Sequence, residues 1–322
     1  MDISKKLHQM FILGLDGDGY KSALKKGLGG IIFFSNDIHS AEQFSTLCSE
    51  INSQAIISPF LSIDQEGGRV ERTENIHGGK KYLSAKFAFE KGEEFLKTQT
   101  EQIACELKSY GINLNFAPCI DVNTNPQNPI IGERSFSSNV DDVIKCEKIV
   151  CDIYRKNGII PCVKHFPGHG DANADSHLTL PKIELSLEDM EKTHIKPFAS
   201  AVKNHIEMVM AAHLHCICFE KEEIPTSLSK NAISYLRNNL GFEGVIISDD
   251  MIMKGVSKFG AVEACEMGIK SGLNMFIYRN SNPETINIID QLAKKAETDN
   301  ELCCNIEKSY EKIIRLKKIF GG

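Results

Sequence analysis

Gly158-Ile159-Ile160-Pro161-Cys162-Val163 runs directly into Lys164-His165-Phe166-Pro167-Gly168-His169-Gly170-Asp171-Ala172-Asn173-Ala174-Asp175-Ser176-His177. The opening residues lack polar alternation, as expected of a strand buried on both faces of a sheet. Lys164 and His165 then end the run, so a strand leaves a core and delivers polar side chains at its C-terminal end. Gly168 and Gly170 permit a sharply turning, mobile loop, and Pro167 keeps its predecessor extended. That loop carries Asp175 and His177. A rigid strand end followed by a loop is how scaffolds commonly present chemistry.

The same pattern recurs along the chain. Runs at 10–15, 30–34, 60–64, 113–118, 159–164, 208–212, 245–249 and 274–278 are rich in Ile, Val, Leu, Met and Phe. Amphipathic stretches separate them. Val143, Cys146, Val150 and Ile153 fall three and four apart, with Gly158 as a stop. Ser186 and Asp189 form a loose capping box for a helix that Pro197 is expected to kink. Ser229 caps a helix ending at Gly241, and Ile306, Tyr310 and Ile313 mark a last one. Eight buried strands alternating with helices predict an α/β fold, either a closed (β/α)8 TIM-type barrel or a doubly wound sheet. No Gly-x-Gly-x-x-Gly follows the first run, which disfavours the dinucleotide-binding sheet. With no linker or low-complexity segment, one barrel domain over residues 1–322 is the simplest organisation.

The chain carries a net charge of −6 with acids and bases dispersed, so nucleic acid is not an expected partner. Lys5 and Lys6 precede an apolar run that Asp16 cuts off, too short for a signal-peptide core or a membrane span. Eleven cysteines include no Cys-x-x-Cys pair, and Cys146 and Cys162 sit where a small hydrophobe belongs. A soluble, cytoplasmic protein in a reducing compartment, without membrane partners, is the expectation.

Active sites of such barrels lie at the C-terminal ends of the strands. Those ends here are Asp64-Gln65-Glu66-Gly67-Gly68-Arg69, Lys164-His165, Ala211-Ala212-His213-Leu214-His215 and Ser248-Asp249-Asp250. One polar strand end would be an ordinary loop; four converging on one rim indicate a site. Asp249 continues the strand into the mouth and could be a nucleophile, a base or a metal ligand, whereas Asp250 fits a cap of the next helix. Asp175, two residues from His177, would fix its tautomer and raise its pKa, favouring proton transfer near neutral pH. Arg72 and Arg134 suit the hydroxyls or carboxylates of a polar ligand, or surface ion pairs.

These residues sit within motifs. The stretch Lys164 to Gly170 followed by Asp175-Ser176-His177 resembles the signature of family 3 glycoside hydrolases acting on N-acetylglucosamine, the single-domain β-N-acetylhexosaminidase type. Ile63-Asp64-Gln65-Glu66-Gly67-Gly68-Arg69-Val70, Phe116-Ala117-Pro118, Asp121-Val122, Ile131-Gly132-Glu133-Arg134-Ser135-Phe136, Pro225-Thr226-Ser227-Leu228-Ser229 and Gly241-Phe242-Glu243-Gly244-Val245-Ile246-Ile247-Ser248-Asp249-Asp250-Met251 are similar to that family too. The resemblance implies a retaining exo-β-N-acetylglucosaminidase. Asp249 would be the nucleophile of a covalent glycosyl-enzyme, with His177 as acid/base and Asp175 as its partner. Asp64, Arg72, Arg134, Lys164 and His165 would hold the sugar. No cofactor and no metal is implied. The substrate would be a small glycan or a muropeptide derived from the cell wall.

Three rivals are weighed. A metal-dependent barrel hydrolase could draw on His165, His169, Asp171, His177, His213 and His215, but Lys164 would repel a cation beside His165. A sugar-binding protein without turnover would not need Asp249, Asp175 and His177 together. A phosphorylase or transglycosylase would share the same intermediate.

Overall fold

The computed structural model describes residues 2–172 and 180–321. Asp175 and His177 therefore lie outside the described residues. All eight apolar runs form strands, and because each is buried on both faces they pair side by side until the ring closes. In chain order the strands are β1 (Phe11–Asp16), β2 (Gly30–Phe33), β3 (Phe60–Ile63), β4 (Leu114–Asn115), β5 (Ile160–Phe166), β6 (Lys182–Ile183), β7 (Met208–Ala211), β8 (His215–Cys216), β9 (Val245–Asp250) and β10 (Met275–Asn280). The barrel runs β1-β10-β9-β7-β5-β4-β3-β2 with parallel neighbours, while β6 and β8 pair with each other outside it. Among the described residues no helix is long and apolar enough to cross a membrane. All eleven cysteines are free thiols.

Strand β4 is shorter than its apolar run, and beyond it the contacts to its neighbours turn irregular: Phe116 N donates to Ile63 O at 2.8 Å and Ala117 O accepts from Cys162 N at 3.1 Å. Asn115 joins two strand ends. Its Oδ1 accepts from Gln65 N and its Nδ2 donates to Gln65 O, each at 2.9 Å. A proline decides the helix that was expected to kink. The segment forms two helices, Leu187–Lys192 and Lys196–Lys203, and Pro197 lies in the first turn of the second, where its missing N–H costs nothing. Ser186 does cap the first, accepting from Asp189 N at 3.2 Å.

Helix Val140–Lys156 turns Val143, Cys146, Val150, Cys151 and Tyr154 into the core as its spacing requires. It also buries Glu147, whose two carboxylate oxygens have no hydrogen-bond partner among the described residues. Burial pushes that carboxyl up to about 7. The folded state therefore holds the proton more tightly than the unfolded chain. Stability should be fully present at low pH and fall as pH rises through about 7. Glu147→Gln is expected to raise the melting temperature at pH 8, by an amount equivalent to roughly 1–3 kcal/mol, and to change it little at pH 5. A melting-temperature gain of equal size at both pH values would contradict this.

Candidate active site

Strands β3, β5, β9 and β10 deliver their last residues to one cavity of about 360 Å³ at the C-terminal mouth of the barrel. That volume is within the range of small-ligand clefts, roughly 300–1,000 Å³. Asp64, Arg72, Arg134, Lys164, His165 and Asp249 all line it, together with Arg69, His169, Asp250 and Arg279. Sequence-assigned residues separated by up to 185 positions thus line one cavity; Asp175 and His177 alone of that set are not described.

One side of the mouth is a chain of alternating charges. Lys164 Nζ donates to Asp64 Oδ1 at 2.7 Å and meets Glu66 Oε1 at 2.5 Å. Glu66 in turn accepts two parallel bonds from Arg134, from Nε at 2.9 Å and Nη2 at 2.8 Å. Burial opposes the charge of Glu66, but Arg134 and Lys164 outweigh it and hold the carboxyl far below its usual range. Burial likewise opposes the Lys164 ammonium, and Asp64 and Glu66 raise it well above the usual lysine value. Glu66, Lys164 and Arg134 are thus fixed in their charged forms before any ligand arrives.

The turn after β3 makes this possible. Gly67 and Gly68 adopt φ of +95° and +62°, which reverses the chain right after Glu66 and leaves no room for a side chain beside Leu83 and Ser84. The loop after β4 supplies Arg134 from the short helical turn Gly132–Arg134. Asn128 braces that loop, accepting from Ile130 N and Ile131 N at 2.8 and 2.9 Å and donating to His169 O at 2.8 Å. Gly170 allows the loop after β5 to lie on the backbone at Val122, where a Cβ would fall 1.7 Å from the carbonyl oxygen.

Asp121 is the hub of a second network. Its carboxylate takes His165 N at 3.2 Å and His169 N at 2.6 Å, and Oδ2 lies 2.7 Å from His165 Nδ1. Burial opposes its charge, yet the His165 and His169 contacts prevail and keep the carboxyl well below the ordinary range. An ionised carboxylate only accepts, so Nδ1 carries a proton, and Nε2 lies 3.3 Å from Arg134 Nη2. Burial, then the neighbouring His165, pushes His169 down to about 4, so this ring is neutral at pH 7.

Asp249 stands on β9 with its Oδ1 accepting from Asp250 N at 2.8 Å. Burial would raise its pKa, but His165, His213 and Lys164 outweigh it, and the carboxyl lies below its usual range. His213 is held by Ser227, Nδ1 to Oγ at 2.7 Å, and burial lowers its pKa. Asp250 is not a helix cap. Strand β9 extends through it, and its carboxylate pairs with Arg279 on the adjacent β10 while accepting from Ile252 N at 3.1 Å. The helix that follows, Lys254–Ser257, has Met253 at its N-cap.

Cys119, Asp121 and His165 place three ligand atoms within 4.8 Å of one another. The donor set fits a cation poorly. His165 Nδ1 carries a proton, Arg134 is beside the ring, and burial drives the Cys119 thiol far above its usual pKa. His215, offered for the metal reading, is on β8 outside the barrel, with Nε2 2.9 Å from Glu220 O.

Glu66 and Asp121, which organise both networks, were quoted within motifs by the sequence reading but given no role in holding a ligand. The available signal was their position at the end of an apolar strand or run, the criterion that selected Asp249.

The chain covers 53% of the Beta-hexosaminidase A of Pseudoalteromonas piscicida, to which it is 31% identical over 318 residues, 90% of its own length. It is 32% identical over 281 residues to the Beta-hexosaminidase of Tolumonas auensis, spanning 84% of this chain and 82% of that protein. A glycoside hydrolase family 3 beta-N-acetylglucosaminidase from Paenibacillus sp. superposes with a TM-score of 0.92 at 30% identity, over 99% of this chain and 63% of that one. Residues 3–316 match the model of the glycosyl hydrolase family 3 N terminal domain, and with that match running from the first helix into the last, the chain belongs to glycoside hydrolase family 3.

Proposed function

We propose that this chain hydrolyses β-linked N-acetylglucosamine from the non-reducing end of a small glycan, with retention at the anomeric carbon. The observation that carries this reading is Asp249: an ionised carboxylate on a rigid strand, facing a cavity whose opposite wall is prepared for hydroxyl groups. Asp64, Lys164, His165 and Arg134 offer hydroxyls both donors and acceptors, and Arg72 adds a guanidinium. In this scheme Asp249 attacks the anomeric carbon as His177, oriented by Asp175, protonates the leaving oxygen. His177 then takes a proton from water, and that water releases the sugar from Asp249. The usual retaining pair is two carboxyls about 5–5.5 Å apart. A histidine in place of one needs no raised carboxyl pKa.

Cell-wall fragments, cut between N-acetylglucosamine and a muramic-acid unit, are the natural substrates we infer. Phosphate or a second sugar as acceptor is the alternative fate of the same intermediate. A panel of aryl β-glycosides tests the reading: turnover of the β-N-acetylglucosaminide should far exceed that of the β-glucoside and β-xyloside. Equal rates on all three would overturn it, and faster turnover in phosphate than in a non-phosphate buffer would identify phosphate as acceptor.

No step of this scheme runs through a metal, since Asp249 and His177 meet the charge that develops. Activity is expected to survive exhaustive EDTA treatment. Its loss, with recovery on zinc addition, would restore the metallohydrolase alternative.

A further inference from the structure

Strand β10 brings Arg279 to the mouth beside β9 and Asp249. Its Nε donates to Asp250 Oδ2 and its backbone N to Asp250 Oδ1 at 3.4 Å. Asp250 is buried and has a second tie to Ile252 N, so it grips the guanidinium by one edge from a fixed position. The remaining N–H groups of Arg279 have no partner among the described residues, and the side chain is 47% exposed into the cavity it lines. A guanidinium has five donors in a planar fork, and here Nε is anchored while the outer donors are open among the described residues.

Arg69, Arg72, Arg134, Lys164 and Arg279 line the cavity against Asp64, Asp249 and Asp250, with Glu66 and Asp121 beneath as further carboxylates. On the hydroxyl-binding wall Lys164 and Arg134 are engaged by Asp64 and Glu66. Following the ring of strands, that wall occupies β3 to β5, and Arg279 stands beyond Asp249 on the other arc. Phe34, Met253 and Ile277 also line the cavity and supply apolar surface.

We propose that Arg279, braced by Asp250, is a seat for a carboxylate carried on the leaving group, so that the preferred substrates have an acidic aglycone. This deepens the glycosidase reading and rests on it: a sugar held by the β3–β5 wall with its reacting carbon at Asp249 directs its leaving group past β9 towards the open edge of the guanidinium. A bidentate, partly desolvated carboxylate–guanidinium contact is strong enough to set preference, though exposure to solvent limits the effect to about tenfold.

The test compares kcat/KM for a 3-carboxyphenyl β-N-acetylglucosaminide and its methyl ester, whose leaving groups differ in charge at similar size. The wild-type chain should prefer the acid by about tenfold, with the preference shrinking as salt is raised. Arg279→Met should bring the ratio to about one, and Arg279→Lys should keep part of it. The double variant Arg279→Met with Asp250→Asn removes both charges, so that a folding defect from a stranded Asp250 is separated from loss of the seat. A ratio unchanged in both Met variants, with the ester still hydrolysed, overturns this proposal and leaves the glycosidase reading intact. Hydrolysis of neither substrate overturns both. If Arg279→Met abolishes acceleration by inorganic phosphate and leaves the acid preference untouched, the guanidinium serves an acceptor and the proposal falls.

Discussion

Asp249→Asn is expected to lower kcat by at least ~10³-fold, the scale on which removing a covalent nucleophile acts. The reason is specific to its setting. Asp249 is held ionised by His165, His213 and Lys164 against the cost of burial, and asparagine keeps the shape while removing the charge those groups converge on. Among the described residues the side chain has one hydrogen bond of its own, from Asp250 N, which an amide oxygen can still accept. Melting temperature and N-acetylglucosamine affinity should therefore stay close to wild type. A variant retaining more than about a tenth of the wild-type rate would remove Asp249 from the nucleophile's role.

Loss of His177 should divide the two chemical steps. General acid–base catalysis contributes ~10²–10⁴-fold, and His177→Ala should lose that much on natural disaccharides. An activated aryl leaving group needs little protonation, so glycosylation of Asp249 is spared for such substrates. Deglycosylation is not spared, because water is the acceptor whatever the substrate. The glycosyl-enzyme then accumulates, which lowers both kcat and KM. Azide, which needs no deprotonation, should partly restore turnover and release the β-glycosyl azide. Asp175→Ala should give the same pattern more weakly, since the imidazole remains and loses only its orienting carboxylate. Wild-type behaviour of His177→Ala on disaccharides would refute the assignment. His169 would then be tested next, a neutral buried ring beside His165 with no hydrogen-bond partner for either nitrogen among the described residues.

The barrel was legible in the sequence because a strand buried on both faces leaves an unbroken apolar run, and eight such runs with helices between them close in only a few ways. The runs at 30–34 and 60–64 match their strands to within a residue at either end. β5 and β10 run two residues past theirs, and the largest departure is β4, where hydropathy continues to Pro118 but regular strand pairing ends at Asn115. Hydropathy does not register pairing irregularity, and Pro197 was misread for a related reason: a proline inside an amphipathic stretch kinks a helix or begins one, depending on where the chain turns before it. The site was legible in part. Asp64, Lys164, His165 and Asp249 follow from the rule that chemistry gathers at strand C-termini. The role of Asp250 did not follow, because its partner Arg279 is 29 positions away on another strand. Glu66 and Asp121 were hidden similarly: their importance lies in what they hold, and ion pairs between distant segments leave no periodic trace.

The linked charges of Asp64, Lys164, Glu66 and Arg134 also constrain how this protein can change over generations. Neutralising one member strands its neighbours without partners in a dry site, at a cost of ~3–5 kcal/mol. That is a large fraction of the ~5–15 kcal/mol that keeps a typical domain folded. Single substitutions here lead downhill in fitness, and only coordinated multiple replacements lead out again. Descendants acquiring new substrates would therefore keep this patch as an inherited block and diversify at Phe34, Val70 and Met253, cavity residues without a charge to strand.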